Sequence, residues 1–275
     1  MDNLSSFECS GCVRRSVVES RCMDTSPGVS VIIPARNESQ NLPRILDSLP
    51  ELVDEVIVIV GNSTDDTVTV AQNHPRVDKT LIQRSKGKGA ALSLGLRAAS
   101  REYVVMIDAD GSMNVDEISN FVQALESGAD VVRGSRYMTG GGSEDLTAFR
   151  SFGNKSLTGL ANILFKVDWT DLAYGYAAFR KSALEQMDVF YYDSKVGGIP
   201  LSRGMSYGQG FEIESLIFCR SARRGLRVIE IPSTEAARWN GSSNLKAIPD
   251  GFRALSAILV ERARSRRLRV DQLED

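Results

Sequence analysis

Two aspartates, Asp108 and Asp110, close the stretch YVVMIDADGS directly after an apolar run. Alternate residues of an extended chain point the same way, so both carboxylates can face one spot. Two anions so placed raise each other's pKa unless something positive sits between them. Magnesium or manganese fits that description, because these hard cations take carboxylate oxygens and keep positions open for substrate phosphates. A helix cap or a solvated turn is the competing reading, and Gly111 and Ser112 suit a turn.

Other segments could bind an anion. KGKGAA sets Lys86 and Lys88 beside glycines that allow close backbone approach, at a helix start where free N–H groups attract negative charge. An ordinary solvated loop is its alternative. PARNE supplies Arg36, Asn37 and Glu38, although Glu38 could equally favour the helix start that follows. No G-x-G-x-x-G follows the first apolar run and no Walker loop occurs, which makes a dinucleotide or P-loop site the weaker reading.

The elements that must position these groups alternate regularly from Val29. VSVII, EVIVIV, KTLIQ, YVVMI and ADVVRG read as strands. NLPRILDSL, DDTVTVAQN, GKGAALSLGLRAA and NVDEISNFVQALESG read as helices, the last stopping at Gly128. Such alternation predicts an α/β fold, a mostly parallel sheet with helices on both faces. Ligands bind such sheets at the carboxyl edge of the strands. PARNE, GNSTDD, DADGS and GSRY all fall on that edge. The second half is less regular: TGGGSED reads as a flexible link, Arg150 to Phe165 as an amphipathic helix, FEIESLIFCRSARR as a helix, LRVIEIP as a strand, and ERARSRRLR as the end of a final helix.

Composition narrows the function. The 275 residues, 42% hydrophobic, suffice for one large α/β domain or two small ones, and a net charge of -2 gives no whole-chain argument for nucleic acid. No apolar run approaches the roughly 20 residues of a membrane helix. The N-terminus lacks the apolar core of a signal peptide, so a cytoplasmic protein is expected. CSGC at Cys9 and Cys12 has zinc-site spacing, but with Cys22 it makes only three nearby ligands, and His74 is far along the chain. Residues 1–27 are therefore expected to be a disordered leader, 28–265 a single domain, and 266–275 a polar tail. Cys219 is expected to be buried.

Taken in order, VSVIIPARNESQNLPRILDSL, EVIVIVGNSTDDT, KGKGAAL and VVMIDADGS resemble the inverting glycosyltransferases of family 2, which have a GT-A fold. The subgroup most similar is that of the polyprenyl-phosphate or dolichol-phosphate mannosyl- and glucosyltransferases and their soluble bacterial relatives. The resemblance implies that Pro34, Ala35, Arg36, Asn37 and Glu38 lie against the nucleotide. It implies Lys88 near the base or ribose, and Asp108 with Asp110 near a Mg2+ or Mn2+ ion and the diphosphate. RWNGSSN resembles the family loop whose Arg238 and Ser243 reach phosphate oxygens. TDLAYGYAAFR resembles the segment lining the sugar and acceptor cleft, implying Asp171 and Gly175. GQGFEIE implies Glu212 and Glu214, of which Glu212, nearer the helix start, is preferred; residues two apart cannot share a helix face. Val60 and Gly61 stand where the family usually has aspartates, one of which contacts the base, so the base stays open. Asp65 and Asp66 could compensate or start the next helix.

The implied reaction displaces a nucleoside diphosphate from a sugar, with inversion. A hydroxyl acceptor needs a base, for which Asp171 or Glu212 is the candidate. A polyprenyl phosphate needs none, being an anion already. The expected partners are thus a nucleotide-diphosphate sugar and a polyprenyl phosphate, with a soluble acceptor as the alternative. Peripheral contact with the inner face of the membrane through ERARSRRLR is open, against a solvated helix end. A non-catalytic sugar-nucleotide binding protein is the rival of another class. A sugar-phosphate nucleotidyltransferase is disfavoured because PARNE replaces its glycine-rich first loop.

Overall fold

The computed structural model describes residues 27–189 and 207–271. Its strands are β1 (Val29–Ala35), β2 (Val53–Val60), β3 (Lys79–Ile82), β4 (Tyr103–Met106), β5 (Val131–Ser135), β6 (Gly142–Ser143), β7 (Ala177–Arg180), β8 (Val228–Pro232) and β9 (Thr234–Glu235). Its helices are α1 (Leu42–Ser48), α2 (Thr67–Asn73), α3 (Lys88–Ala98), α4 (Ile118–Glu126), α5 (Ala148–Phe165), α6 (Lys181–Met187), α7 (Ile213–Arg224) and α8 (Ala247–Asp271). A 3-10 turn at Val115–Glu117 leads into α4.

The main sheet has the order β3-β2-β1-β4-β7-β5-β8. All its strands run parallel except β7, which is antiparallel to both β4 and β5. Alternation along each strand divides the apolar side chains between two cores. Ile32, Ile57, Val104 and Phe179 face α3, α5, α6, α7 and α8. Val31, Ile33, Val58 and Val105 face α1, α2 and α4. Each fully buried side chain of this size contributes about 1.5–3 kcal/mol, so the strands that carry the edge loops are fixed by burial on both faces.

Three local expectations change. The antiparallel β7 was not anticipated; its entry at the carboxyl edge brings the 170–176 loop there. TGGGSED is not a free link, because β6 pairs with β9 and Gly141 lies so close to the Ser135 carbonyl that a Cβ would sit 2.4 Å from it. Helix α8 continues to Asp271, into the stretch expected to be a polar tail. Cys219 is buried in the α7 core, as its apolar pattern predicts. The expected leader, with Cys9, Cys12 and Cys22, lies outside the described residues apart from Pro27.

Candidate active site

The β1 edge forms first. Asn37 takes a left-handed conformation, φ 57°, which asparagine tolerates better than most residues. Its side chain accepts a hydrogen bond from the Thr64 N–H at 2.8 Å, and its own N–H donates to the Ser63 hydroxyl at 3.1 Å. The loops after β1 and β2 are thereby knotted together. Asp65 accepts from Thr67 and from the Ser39 N–H; burial would raise this carboxyl, but those bonds bring it down to about 2. Asp65 thus starts α2 and ties it to the β1 loop. Pro34 and Ala35 end β1, and Arg36 is exposed beside them.

The aspartate pair does not share one cation. Lys88 Nζ lies 2.7 Å from Asp108 Oδ1 and 2.8 Å from Glu214 Oε1. Arg238 Nη2 lies 2.7 Å from Asp110 Oδ2, with Nη1 3.7 Å from Glu38 Oε1. Each aspartate therefore has its own positive partner. Burial would lower the Lys88 ammonium, but Asp108 and Glu214 outweigh it and hold it above its usual value. Burial works the other way on Glu214, raising that carboxyl against the pull of Lys88. Gly175 seats against this pair, since a Cβ there would fall 2.6 Å from Glu214 Oε1 and 3.0 Å from Lys88 Nζ.

A turn holds Asp110 in place. The Ser112 N–H and hydroxyl both donate to Asp110 Oδ1, at 2.9 and 2.7 Å. Gly111, at φ 79°, has the Trp239 ring where a Cβ would go, 2.2 Å away. The Trp239 N–H donates to the Asp110 carbonyl at 3.1 Å, and the Arg44 guanidinium covers the ring at 3.9 Å. Asn240 Nδ2 donates to Asn41 Oδ1 at 2.9 Å, and Asn41 Nδ2 donates to Glu38 Oε2 at 2.6 Å. The RWNGSSN segment is thus fastened across both the DADGS and PARNE loops. Asn41, Trp239 and Asn240 were not among the expected site residues; only the polar character of both segments hinted at a staple 199 residues apart in sequence.

Glu38 is strongly perturbed. Burial chiefly, with repulsion from Asp110 and Asp108, pushes it up to about 7 against the bond from Asn41 and the charge of Arg238. The folded protein holds this proton more tightly than the unfolded chain. Its stabilisation is therefore complete below the ordinary value of 4.5 and lost as pH rises through about 7. Glu38→Gln is expected to flatten the ligand-free stability curve across that window by about 1–2 kcal/mol, allowing for partial solvent access. Urea melts at several pH values measure this, and equal slopes in both proteins would show that Glu38 ionises normally.

The expected bases are placed differently. Asp171 is fully buried and accepts from Arg136 Nε and Nη2 at 2.7 and 3.0 Å and from Asn154 Nδ2 at 2.7 Å. Burial would raise it, but Arg136 prevails and holds it below the usual carboxylate range. Glu212 is also fully buried, accepting from Arg253 Nη2 at 2.6 Å and Nε at 2.7 Å and from the Gly208 N–H at 3.0 Å. Neither carboxylate presents a free oxygen in the ligand-free structure, an arrangement that weighs against either as a general base. Glu214, and not the preferred Glu212, is the glutamate that meets Lys88 and the charge of Asp108. Lys88 is likewise enclosed between carboxylates instead of reaching toward a base or ribose. Gly89 makes its close approach to the Gly208 carbonyl rather than to a ligand, as a Cβ would lie 2.0 Å away. Ser243 is exposed farther along its loop, accepting from the Leu245 N–H at 3.3 Å and not joining the cluster.

The carboxylates suit a hard cation. Among the described residues no three His, Cys, Asp or Glu side chains gather into a metal cage. One or two carboxylates completed by phosphate oxygens are nevertheless how magnesium and manganese are commonly held in phosphate-handling sites.

A family model for Glycosyl transferase family 2 matches residues 30–188. The chain belongs to glycosyltransferase family 2. It is 32% identical over 225 residues to a polyprenol monophosphomannose synthase of Mycolicibacterium smegmatis, covering 78% of this chain and 80% of that one. It is 31% identical to a dolichol-phosphate mannosyltransferase of Pyrococcus furiosus, covering 79% of this chain and 59% of that one. The fold is GT-A: the glucosyl-3-phosphoglycerate synthase of Mycobacterium tuberculosis, solved with Mn2+, uridine diphosphate and phosphoglyceric acid, aligns with TM-score 0.64 at 19% identity over 86% of this chain and 78% of that one. This family 2 glycosyltransferase is a hexosyltransferase by its relatives. Among its described residues no helix is long and apolar enough to cross a membrane.

Proposed function

We propose that this glycosyltransferase moves a hexosyl group from a nucleotide-diphosphate sugar to a polyprenyl phosphate, with inversion. The observation that carries this reading is the enclosure of both candidate bases: Asp171 on Arg136 and Glu212 on Arg253. An acceptor that arrives already ionised needs no base. The mannosyltransferases of polyprenol and dolichol phosphates among its relatives support the same acceptor.

In this reading Pro34, Ala35, Arg36, Asn37 and Glu38 form the shelf for the nucleotide. Asp108 and Asp110 would hold Mg2+ or Mn2+. The ion supplies Lewis-acid neutralisation of the leaving group when bound. Arg238 moves its donors from Asp110 and Glu38 to phosphate oxygens, and Ser243 closes with the same loop. An acceptor phosphate oxygen bonds to the anomeric carbon while the bond to the donor's β-phosphate oxygen breaks. The electron pair leaves with the nucleoside diphosphate. Peripheral contact with the cytoplasmic face of a membrane, where such an acceptor resides, belongs to the same proposal.

Arg238→Lys keeps the charge and removes the planar fork. Turnover is expected to fall by about 1.5–3 kcal/mol, the worth of a hydrogen bond to a charged group, or roughly 10- to 150-fold. Nucleotide affinity should fall less and the thermal midpoint should hold. Normal turnover in a folded variant would remove Arg238 from the phosphate site.

A transfer assay tests the whole reading. The chain is incubated with labelled nucleotide sugars, Mn2+ and polyprenyl phosphate in detergent, with phosphoglyceric acid as the soluble acceptor in parallel. Label is expected in the organic phase on an inverted linkage. Label only on the soluble acceptor would replace the lipid reading with the alternative one.

A further inference from the structure

Large apolar side chains point away from the core on two neighbouring helices. Phe149, Phe152 and Ile163 lie on α5, and Ile248, Phe252 and Leu259 on α8, with exposures from 51% at Leu259 to 78% at Ile163. On α5 the spacing of three or four runs through Phe149, Phe152, Ser156, Gly159 and Ile163, which is one stripe of a helix. Ile248, Phe252 and Leu259 form a similar stripe on α8. The two helices pack on each other, with Ala161, Ala257 and Ile258 turned into the shared core. Their outer sides therefore make one strip, larger than scattered surface apolars require.

The charges around the strip are mostly positive, with Asp145, paired to Arg150 at 3.2 Å, and Asp250 as the acidic members. Helix α5 contains no acidic residue, while Arg150 and Lys155 lie on it and Lys166 ends it. On α8, Glu261 turns inward to Arg220 and Arg223, and Asp250 accepts from the Lys246 N–H at 2.7 Å. The same helix runs into the sequence ERARSRRLR. Both helices start at the catalytic edge, since Asn154 donates to Asp171 and Arg253 to Glu212.

We infer that the outer face of α5 and α8 docks on an anionic lipid bilayer, with Phe149, Phe152, Ile248 and Phe252 entering the interface beside the catalytic edge. An apolar stripe with a cationic border is the pattern of helices that lie in a membrane surface. A second copy seated on the same face would bring the mostly cationic borders together, a net repulsion that an anionic bilayer does not meet. The inference adds a surface to the proposed lipid acceptor but is tested apart from it.

The full chain is sedimented with vesicles of phosphatidylglycerol and phosphatidylcholine, and with phosphatidylcholine alone. Binding to the anionic vesicles, weakened by salt, is expected. The double variant Phe152→Ser, Phe252→Ser should partition at least about tenfold less, with its thermal midpoint and nucleoside diphosphate binding unchanged. A wild-type protein that stays in the supernatant, or a variant that binds equally, overturns the inference. So does a variant whose sedimenting mass drops without vesicles, which would make a second copy the occupant. Intact vesicle binding with no transfer to polyprenyl phosphate in detergent would support the docking face while removing the acceptor reading.

Discussion

Asp110→Asn is expected to abolish the metal-dependent binding of a nucleoside diphosphate and to lower turnover by about 10²–10³-fold. That is the scale seen when one electrostatic stabiliser of a developing anion is removed. The amide oxygen can still accept from Ser112, whose N–H and hydroxyl now bond Asp110 Oδ1. What disappears is the second negative charge of the pair, the feature a divalent ion and Arg238 both require. The lost pair with Arg238, whose side chain is 20% exposed, costs the fold about 1 kcal/mol or less. Calorimetry with Mn2+ and without it separates the two effects. An unchanged affinity in the presence of Mn2+ would take the metal away from this aspartate.

Asp171→Asn is expected to act on the fold before it acts on chemistry. Removing one partner of a buried ion pair leaves the other charge uncompensated, a loss of about 3–5 kcal/mol. Arg136 would keep Glu235 at 3.0 Å but lose the charge of Asp171 and one of the two oxygens that its Nε and Nη2 now bond. Asn154 and the Ala173 N–H, which also bond Asp171, would have to share an amide oxygen. Denaturant unfolding should show the loss directly. If Asp171 were a base, turnover would collapse while the unfolding midpoint stayed where it was, and that pattern would contradict the geometry.

The contrast between these two aspartates shows how far the sequence could be read. The place of Asp110 at the sheet edge was legible because its signal is local: an apolar strand, then Gly111 and Ser112 suited to the turn that holds it. The parallel strands and the edge loops were legible for the same reason. The setting of Asp171 depends on Arg136, 35 residues earlier, and on the antiparallel insertion of β7, whose four residues AAFR carry no orientation in themselves. Glu212 and Glu214 illustrate the same limit. Their spacing correctly required them to face different ways, but that Glu212 would lie on Arg253 and Glu214 on Lys88, 41 and 126 residues away, had no local signal. Lys88 looked like a ligand for an anion, and it is one; its anions in the ligand-free site are the protein's own carboxylates.

The pH dependence of transfer to polyprenyl phosphate tests the central claim, that the acceptor supplies its own ionised nucleophile, most directly. With no protein base, kcat/KM should rise with the second ionisation of the acceptor phosphate, near pKa of about 6, and then stay level. Free polyprenol, a neutral alcohol, should accept no sugar at any pH. A rising limb that stays in place when the acceptor's own pKa is altered, or transfer to the alcohol at a comparable rate, would mean that a protein carboxylate removes the proton after all.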